Sequence, residues 1–191
     1  MSKSQKNANK RFPGELLKLG TFELTQSVIR VSDPGYDRDV WCCGTVENCK
    51  TGMWEAAVFQ RDEDDWGVRV GIVAARYAAN GPEFSEVTRD AYDCMNDWSE
   101  CPFEVGVDSG QAGIFDEAHY MDDGIFDQLP VHDFGEQFYS HCCDITLGDP
   151  PAGVIPYGVV SSSGYGDGGY VAMKHTAKDG KIDGIFVVFL D

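Results

Sequence analysis

The residues best suited to chemistry lie in three glycine-containing segments of the 191-residue chain. The first segment, residues 31–39 (VSDPGYDRD), supplies Asp33 and Tyr36, and Trp41 follows it closely. A carboxylate accepts hydrogen bonds from ligand donors, and a flat aromatic ring can stack on a ligand. These residue types predict contacts with a small polar molecule.

The second segment, residues 105–116 (VGVDSGQAGIFD), has a similar composition at the end of a predicted strand. It carries Asp108, Ser109, Gln111 and Asp116 among three glycines. A simple turn would account for the glycines, whereas a polar shelf for a ligand would account for the side chains as well. Both interpretations stay open from the sequence alone.

The third segment, residues 159–173 (VVSSSGYGDGGYVAM), places serines, tyrosines and one aspartate among four glycines. Consecutive glycine amides can form an anion-binding nest, although a glycine beside a strand can also simply permit a bulge. Residues 164–169 match the dinucleotide pattern G-x-G-x-x-G, but a strand is predicted after them where that pattern needs a helix. The ligand-binding residues predicted in this segment are Ser162, Ser163, Tyr165, Gly166, Asp167, Gly168 and Tyr170.

Together the three segments favour a non-enzymatic protein that binds or sequesters a small polar ligand, a class that includes nucleotide derivatives. The aspartates would accept hydrogen bonds, the glycine amides would face a phosphate and the aromatic rings would stack. No residue is predicted to be catalytic, because none of the four histidines has a partner fixed by a motif. Each histidine is assigned a structural role.

Two other functions fit the same sequence. The stretch from Asp90 to Met173 contains no lysine or arginine, so an acidic immunity or inhibitor-type protein could present residues 90–149 to a basic protein partner. Several aspartates could instead bind Ca²⁺ or Mg²⁺ and activate water, which would make the protein a divalent-metal-dependent hydrolase. No ordered spacing of metal ligands appears, so the cofactor stays open.

Charge and hydropathy narrow the choice of partners and compartment. A net charge of −17 disfavours nucleic acid as a partner, because binding it rests on neutralising phosphates with lysine and arginine. The polar, basic start lacks the apolar run of a secretion signal, and no segment is apolar enough to span a bilayer. A cytoplasmic protein is expected. Its seven cysteines include no Cys-x2-Cys pair, which favours reduced, buried thiols over a zinc site.

The elements that must position these residues are mostly strands. A flexible basic tail is expected over residues 1–20 and a single β-rich domain over residues 21–191. A strand is predicted at about 22–31, a helix within residues 129–143, and a C-terminal hairpin around Asp179-Gly180. The pattern predicts an α+β, β-rich fold, with an antiparallel sheet or sandwich and one or two short helices.

Three motifs also resemble the markers of an uncharacterised family of unknown function found in bacteria and their phages. They are SDPGYD at residues 32–37, VDSGQAGIFD at residues 107–116 and SSSGYGDGGY at residues 161–170, followed by the C-terminal hairpin. The similarity runs from about residue 22 to the C-terminus. The resemblance implies a small, single-domain, cytoplasmic β-rich protein, and it assigns no catalytic residue.

Overall fold

The computed structural model describes residues 14–87, 97–126 and 137–190, and in these ranges the chain consists mainly of β-strands. The strands of the described ranges are β1 (Glu15–Leu24), β2 (Ile29–Ser32), β3 (Gly44–Val46), β4 (Gly52–Asp62), β5 (Val68–Tyr77), β6 (Trp98–Val107), β7 (Gln111–Asp116), β8 (Ala152–Ile155), β9 (Gly158–Ser162), β10 (Gly168–Thr176) and β11 (Ile182–Val188). The same ranges contain the α-helix α1 (Gln137–Thr146) and the 3-10 helices Asp64–Trp66, Phe84–Glu86, Glu117–His119 and Asp123–Phe126.

The strands form two antiparallel sheets that pack as a sandwich. The large sheet has the strand order β1-β4-β5-β11-β10-β6, and the small sheet has the order β3-β2-β7-β9-β8. This architecture confirms the predicted class, a β-rich fold with antiparallel sheets and a short helix. No helix in the described part of the chain is long and apolar enough to cross a membrane.

The central strands of the large sheet carry buried apolar residues on both faces. In β4, Trp54, Ala56 and Val58 belong to the core between the sheets, while Ala57 and Phe59 belong to a cluster on the opposite face. Successive side chains of a strand point to opposite faces, so this alternation fixes the register of β4. Burial of a side chain as large as valine or phenylalanine stabilises the fold by about 1.5–3 kcal/mol.

The helix covers the outer face of the small sheet. Phe138 and Cys142 of α1 are buried in one cluster with Phe115 of β7 and Val160 of β9. The two helix residues are four positions apart, so they lie on the same side of α1. The helical spacing of Phe134, Phe138 and Cys142 in the sequence predicts that they pack in the core, and this is confirmed for Phe138 and Cys142, whereas Phe134 lies outside the described residues. The predicted start of the helix, before residue 137, lies outside the described residues.

The strand predicted at about 22–31 is in fact two strands that belong to different sheets. β1 ends at Leu24 in the large sheet, and β2 begins at Ile29 in the small sheet, with four residues between them. The chain crosses here because the Asp116 carboxylate accepts hydrogen bonds from the amide of Thr25 at 2.7 Å and from its hydroxyl at 2.5 Å. β1 begins at Glu15, so residues 15–20, expected in the basic tail, are part of the large sheet.

The predicted C-terminal hairpin is confirmed. β10 pairs antiparallel with β11, and Gly180 in the turn has a φ of 80°, a conformation that favours glycine. β11 lies between β5 and β10, and its residues from Ile182 to Val187 are all buried. One of these buried residues, Asp183, carries a charge. Its partners define a candidate site described below.

The cysteines of the described residues are free thiols, and most of them are buried. Burial raises the pKa of Cys49 to about 12 and that of Cys101 to about 11, from an ordinary value of 9.0. The physical cause is that a buried thiolate lacks the water that would solvate it. Both thiols are therefore protonated at neutral pH.

These two thiols should make the folded protein sensitive to alkali. They ionise in the unfolded chain from about pH 9 but stay protonated in the folded chain until about pH 11–12. The stabilisation is present below pH 9 and is lost through that window, by up to about 1.4 kcal/mol per pH unit for each thiol. The free energy of unfolding, measured with urea across this pH range, should fall less steeply with pH for the Cys49→Ala, Cys101→Ala double variant than for the wild type. Equal slopes would contradict the prediction.

Candidate functional site

The three glycine-containing segments are in direct contact with one another in the folded chain. The Ser109 amide donates a hydrogen bond of 2.8 Å to the Asp33 carboxylate, and the Ser163 amide donates one of 3.0 Å to the Gly110 carbonyl. These contacts lie where β6 ends and β10 begins. We call this region, formed by residues 33–41, 108–111 and 162–170, the loop end.

Asp33 holds the first two segments together. Its side chain is fully buried and accepts four hydrogen bonds of 2.7–2.9 Å, from the amides of Gly35, Asp108 and Ser109 and from the Ser109 hydroxyl. A carboxylate has about four acceptor sites, so those of Asp33 are used within the protein. The position of Asp33 thus accounts for the shape of the loop end.

A second link between the same segments lies closer to solvent. The Tyr36 hydroxyl donates a hydrogen bond of 2.6 Å to Asp108, whose side chain is exposed. Loss of solvent and this hydrogen bond raise the pKa of Tyr36 above its ordinary value, because both disfavour the phenolate. Tyr36 is therefore a hydrogen-bond donor throughout the neutral pH range.

Gln111 and Asp116 point into the protein. Gln111 donates to the Cys143 sulfur at 3.2 Å and accepts from the Thr146 hydroxyl at 3.1 Å, which ties β7 to α1. Asp116 is fully buried and accepts from the Ala118 amide at 3.0 Å in addition to Thr25. Both side chains stabilise the fold at the two ends of β7.

The third segment is also bonded within itself. The Ser163 hydroxyl donates to the Gly166 carbonyl at 2.8 Å, and the Tyr170 hydroxyl donates to the same carbonyl at 2.6 Å. Tyr165 instead reaches away from the other segments. Its hydroxyl donates to Glu63 at 2.5 Å, and its ring packs edge-on against Trp66 with the ring centroids 5.9 Å apart.

The remaining predicted residues differ in their access to solvent. Trp41 is 85% exposed and Tyr165 is 56% exposed. Exposed or partly exposed positions in the third segment include Ser162, Gly166, Asp167 and Gly168. The predicted residues thus divide into buried ones that stabilise the loops and exposed ones that a ligand could reach. Ligand binding at the loop end stays a prediction.

A second candidate site lies at the other end of β10. This strand begins next to the loop end and finishes beside a cavity of about 400 Å³. We call the cavity the hairpin pocket, because the turn of the C-terminal hairpin forms one of its walls. Its lining includes Lys50, Asn80, Asp97, His175, Asp179 and Asp183.

Backbone hydrogen bonds fix the walls of the hairpin pocket. The Lys50 amide, just before β4, donates to the Ile182 carbonyl at 2.9 Å. The Asp97 carbonyl, just before β6, accepts from the Thr176 amide at 2.8 Å. His175 and Asp183 stand on the paired strands β10 and β11 themselves. The titratable groups of His175 and Asp183 are therefore placed by strands, while the other titratable groups of the pocket belong to the adjoining turns and loops.

Asp183 is a buried charge with two partners. Its side chain is 3% exposed, its Oδ1 lies 2.6 Å from His175 Nδ1, and its Oδ2 lies 3.6 Å from Lys50 Nζ. A buried carboxylate without a partner costs several kcal/mol, roughly 3–5 when the partner of a buried pair is removed. Lys50 and His175 therefore allow Asp183 to occupy the centre of the large sheet.

The Lys50 ammonium group is held loosely. It lies 3.6 Å from Asp179 Oδ2, 3.4 Å from Asn80 Oδ1 and 5.5 Å from the centre of the Tyr77 ring. These polar distances exceed the 2.7–3.2 Å that is usual, at about this range, for an N–H···O hydrogen bond. The ammonium group can therefore turn towards a ligand without losing a strong hydrogen bond.

The His175 imidazole is held on one edge and on one face. Nδ1 is engaged by Asp183, and the ring packs against Trp98 with the centroids 5.1 Å apart. The side chain is 15% exposed and borders the hairpin pocket. Among the described residues, Nε2 has no hydrogen-bond partner. One ring nitrogen is thus available for a ligand.

The sequence interpretation treated His175 as structural and did not single out Lys50 or Asp183. A signal was present, since Asp183 is an acidic residue inside the otherwise apolar strand that ends the chain. Such a residue needs a partner when it is buried. Lys50 is one of the partners, but it lies far from Asp183 in the sequence. No local pattern indicates this contact.

The part of the chain that the structure describes contains no evident metal-binding centre. Within residues 14–87, 97–126 and 137–190, no group of three or more histidine, cysteine, aspartate or glutamate side chains is arranged to hold a metal ion. The hypothesis of a hydrolase dependent on Ca²⁺ or Mg²⁺ therefore gains no support from these residues.

No family model, curated protein or solved structure matches the chain. The resemblance of the three motifs to a family of unknown function stays a prediction. The function must therefore be argued from the chemistry of the site.

Proposed function

We propose that the protein binds a small polar molecule and that the hairpin pocket is the binding site. One observation carries the proposal: the Lys50 ammonium group, the His175 imidazole and the buried Asp183 carboxylate converge on one cavity. A volume of about 400 Å³ falls within the range of about 300–1,000 Å³ typical of ligand pockets. Ordinary surface charges are not gathered in this way around a concave site.

The charges of the lining indicate the kind of ligand. Lys50 and Lys178 stand against three aspartates, Asp97, Asp179 and Asp183. A site with donors and acceptors of both signs suits a zwitterion or a molecule with several hydroxyl groups. The excess of carboxylates disfavours a phosphate, because phosphate sites are built from cations and amides. Among the ligands considered from the sequence, a nucleoside fits this pocket better than a nucleotide.

The position of His175 and Asp183 on paired strands supports binding. Groups on strands are held more precisely than groups on loops, so less conformational entropy is lost when a ligand binds. At the loop end, the Asp33 and Asp116 carboxylates already have their partners. A ligand there would have to rely on exposed groups such as Asp108 and Trp41.

Ligand binding should be detectable as thermal stabilisation by members of a panel of amino acids, nucleosides and monosaccharides. A ligand at 100 times its dissociation constant stabilises the fold by about 2.7 kcal/mol, which corresponds to roughly 5–10 °C in a chain of this size. Mass spectrometry of the small molecules released when the purified protein is denatured extends the panel. The absence of both stabilisation and a released compound would contradict the proposal.

A pair of variants tests the location of the site. Lys50→Met removes the ammonium group but keeps an apolar stem, and we expect it to weaken binding at least about tenfold, since a charge-assisted contact contributes about 1.5–3 kcal/mol. Asp108→Asn removes one exposed charge at the loop end and should leave binding unchanged. Loss of binding in Asp108→Asn with normal binding in Lys50→Met would place the site at the loop end instead.

A further inference from the structure

We propose that His175 is a general base, oriented by Asp183, and that the hairpin pocket hydrolyses a carboxylic ester of a small polar molecule. This inference rests on the proposed function, because the ester must sit in the same pocket. It goes beyond that function, and beyond the non-enzymatic role predicted from the sequence, because it assigns a reaction.

The His175–Asp183 pair has the geometry that a general base needs. A carboxylate accepts hydrogen bonds, so the 2.6 Å contact between Nδ1 and Oδ1 places a proton on Nδ1, and Nε2 carries the lone pair when the imidazole is neutral. When Nε2 takes up a proton, the Asp183 carboxylate stabilises the resulting imidazolium ion. Asp183 is 3% exposed, so water screens this interaction little. Asp183 is therefore a positioning residue for His175.

A second histidine of the chain provides a contrast. His119 Nδ1 lies 3.9 Å from Asp122 Oδ2, and both side chains are more exposed than those of the His175–Asp183 pair. The His119 ring is stacked on Tyr157, with the centroids 3.9 Å apart. His119 thus also has an acidic neighbour and an aromatic contact, but it lacks a short hydrogen bond to a buried carboxylate. It is the matched control for His175.

Water is the nucleophile of the proposed reaction, and Thr176 is the one hydroxyl-bearing residue among the described residues of the lining. Neither serine nor cysteine is among the described residues that line the hairpin pocket. An imidazole with a free Nε2 can instead remove a proton from a bound water molecule. The fixed position of the ring on β10 would hold that water next to the ligand.

The reaction is a hydrolysis without any change of oxidation state. Nε2 of His175 takes a proton from water while the water oxygen bonds to the carbonyl carbon of the ester, and the carbonyl electron pair moves onto its oxygen. The tetrahedral intermediate then collapses, the bond to the alcohol oxygen breaks, and His175 returns the proton to that oxygen. The products are a carboxylic acid and an alcohol.

Lys50 is the group that would stabilise the negative charge on the carbonyl oxygen. Its contacts of 3.4–3.6 Å are long, so the ammonium group is free to turn towards an oxyanion. The excess of carboxylates in the lining favours an uncharged ester over a phosphate ester, whose charge the pocket would repel. The charges therefore indicate acyl transfer to water in preference to phosphoryl transfer.

The first experiment measures hydrolysis of p-nitrophenyl acetate by the full chain and by three variants. His175→Gln keeps a donor for Asp183 but removes the base, and the rate above background should fall at least about 100-fold. Asp183→Asn should also lower the rate, and His119→Gln should leave the rate unchanged. Equal rates for wild type and His175→Gln, or no rate above background in the wild type, would overturn the inference.

The second experiment can be carried out on the wild-type protein alone. Diethyl pyrocarbonate acylates neutral imidazole nitrogens, and peptide mass spectrometry reports the rate at each histidine. His175 should react faster than His119, although its side chain is less exposed. Where Asp183→Asn folds, it should slow the labelling of His175 and leave that of His119 unchanged. An unmodified His175 beside a modified His119 would overturn the inference.

The two proposals fail in different ways. Binding that is sensitive to Lys50→Met, together with hydrolysis that is insensitive to His175→Gln, would remove the hydrolytic role and leave the binding function intact. Absence of any ligand would remove both proposals. Protection of His175 from diethyl pyrocarbonate by a ligand of the panel would support both.

Discussion

Asp33→Ala is expected to lower the free energy of unfolding by about 3–5 kcal/mol, a large part of the 5–15 kcal/mol or so that stabilises a typical domain. The fully buried carboxylate accepts four hydrogen bonds, from three amides and one hydroxyl. Alanine leaves these partly buried donors without their acceptor, and a fully buried donor without an acceptor costs about 1–3 kcal/mol. The first two segments of the loop end would then lose their common anchor.

Urea unfolding followed by circular dichroism measures this effect. Asp108→Asn is the matched control, because Asp108 lies in the same region with an exposed side chain and a single hydrogen bond to Tyr36. It should change stability by less than about 1 kcal/mol. If Asp33→Ala lowered the free energy of unfolding by no more than Asp108→Asn does, the loop end would not depend on the Asp33 carboxylate.

The second large effect is expected at a buried ion pair in the small sheet. Arg30 of β2 has a side chain that is 7% exposed, and its Nε and Nη2 donate to the Glu117 carboxylate at 2.5 and 3.1 Å. Glu117→Gln removes the counter-ion while the guanidinium group stays buried. Breaking such a pair costs about 3–5 kcal/mol, and we expect the lower part of this range because Glu117 is partly exposed.

The control for Glu117→Gln is Glu83→Gln. Glu83 also pairs with an arginine, Arg76, at 2.9 Å, but its side chain is 69% exposed. Arg76 keeps Glu55 at 2.8 Å in this variant, and an ion pair with an exposed carboxylate contributes about 0–1 kcal/mol and is screened by salt. High salt should therefore reduce the small loss of unfolding free energy caused by Glu83→Gln and preserve the large loss caused by Glu117→Gln. Unfolding of each variant in low and in high salt measures this. Equal effects at the two positions would contradict the burial argument.

The class of the fold could be predicted from local patterns, because alternation and turn chemistry act over a few residues. The Asp179-Gly180 turn and the apolar strand after it predicted the C-terminal hairpin, and the spacing of Phe138 and Cys142 predicted the buried side of α1. The break between β1 and β2 could not be predicted. It depends on Thr25 binding Asp116, and these residues are 91 positions apart.

The same limit applies to the candidate site. Glycines, serines and aspartates indicated the loop segments, yet the sequence does not show that Asp33 would have its acceptor sites filled by the protein itself. The hairpin pocket depends on the contact between Lys50 and Asp183, two residues that are far apart in the sequence. An isolated acid in an apolar strand indicates that a partner exists, but only the fold identifies it.

The contact between Trp98 and His175 has an optical consequence. Trp98 is 6% exposed and Trp54 is fully buried, whereas Trp41 and Trp66 are 85% and 67% exposed. Replacing the two exposed tryptophans with phenylalanine would leave two buried indoles, of which Trp98 packs 5.1 Å from the imidazole. Protonated imidazole quenches indole fluorescence on contact, so the emission of this variant would report the charge on His175 without an added dye.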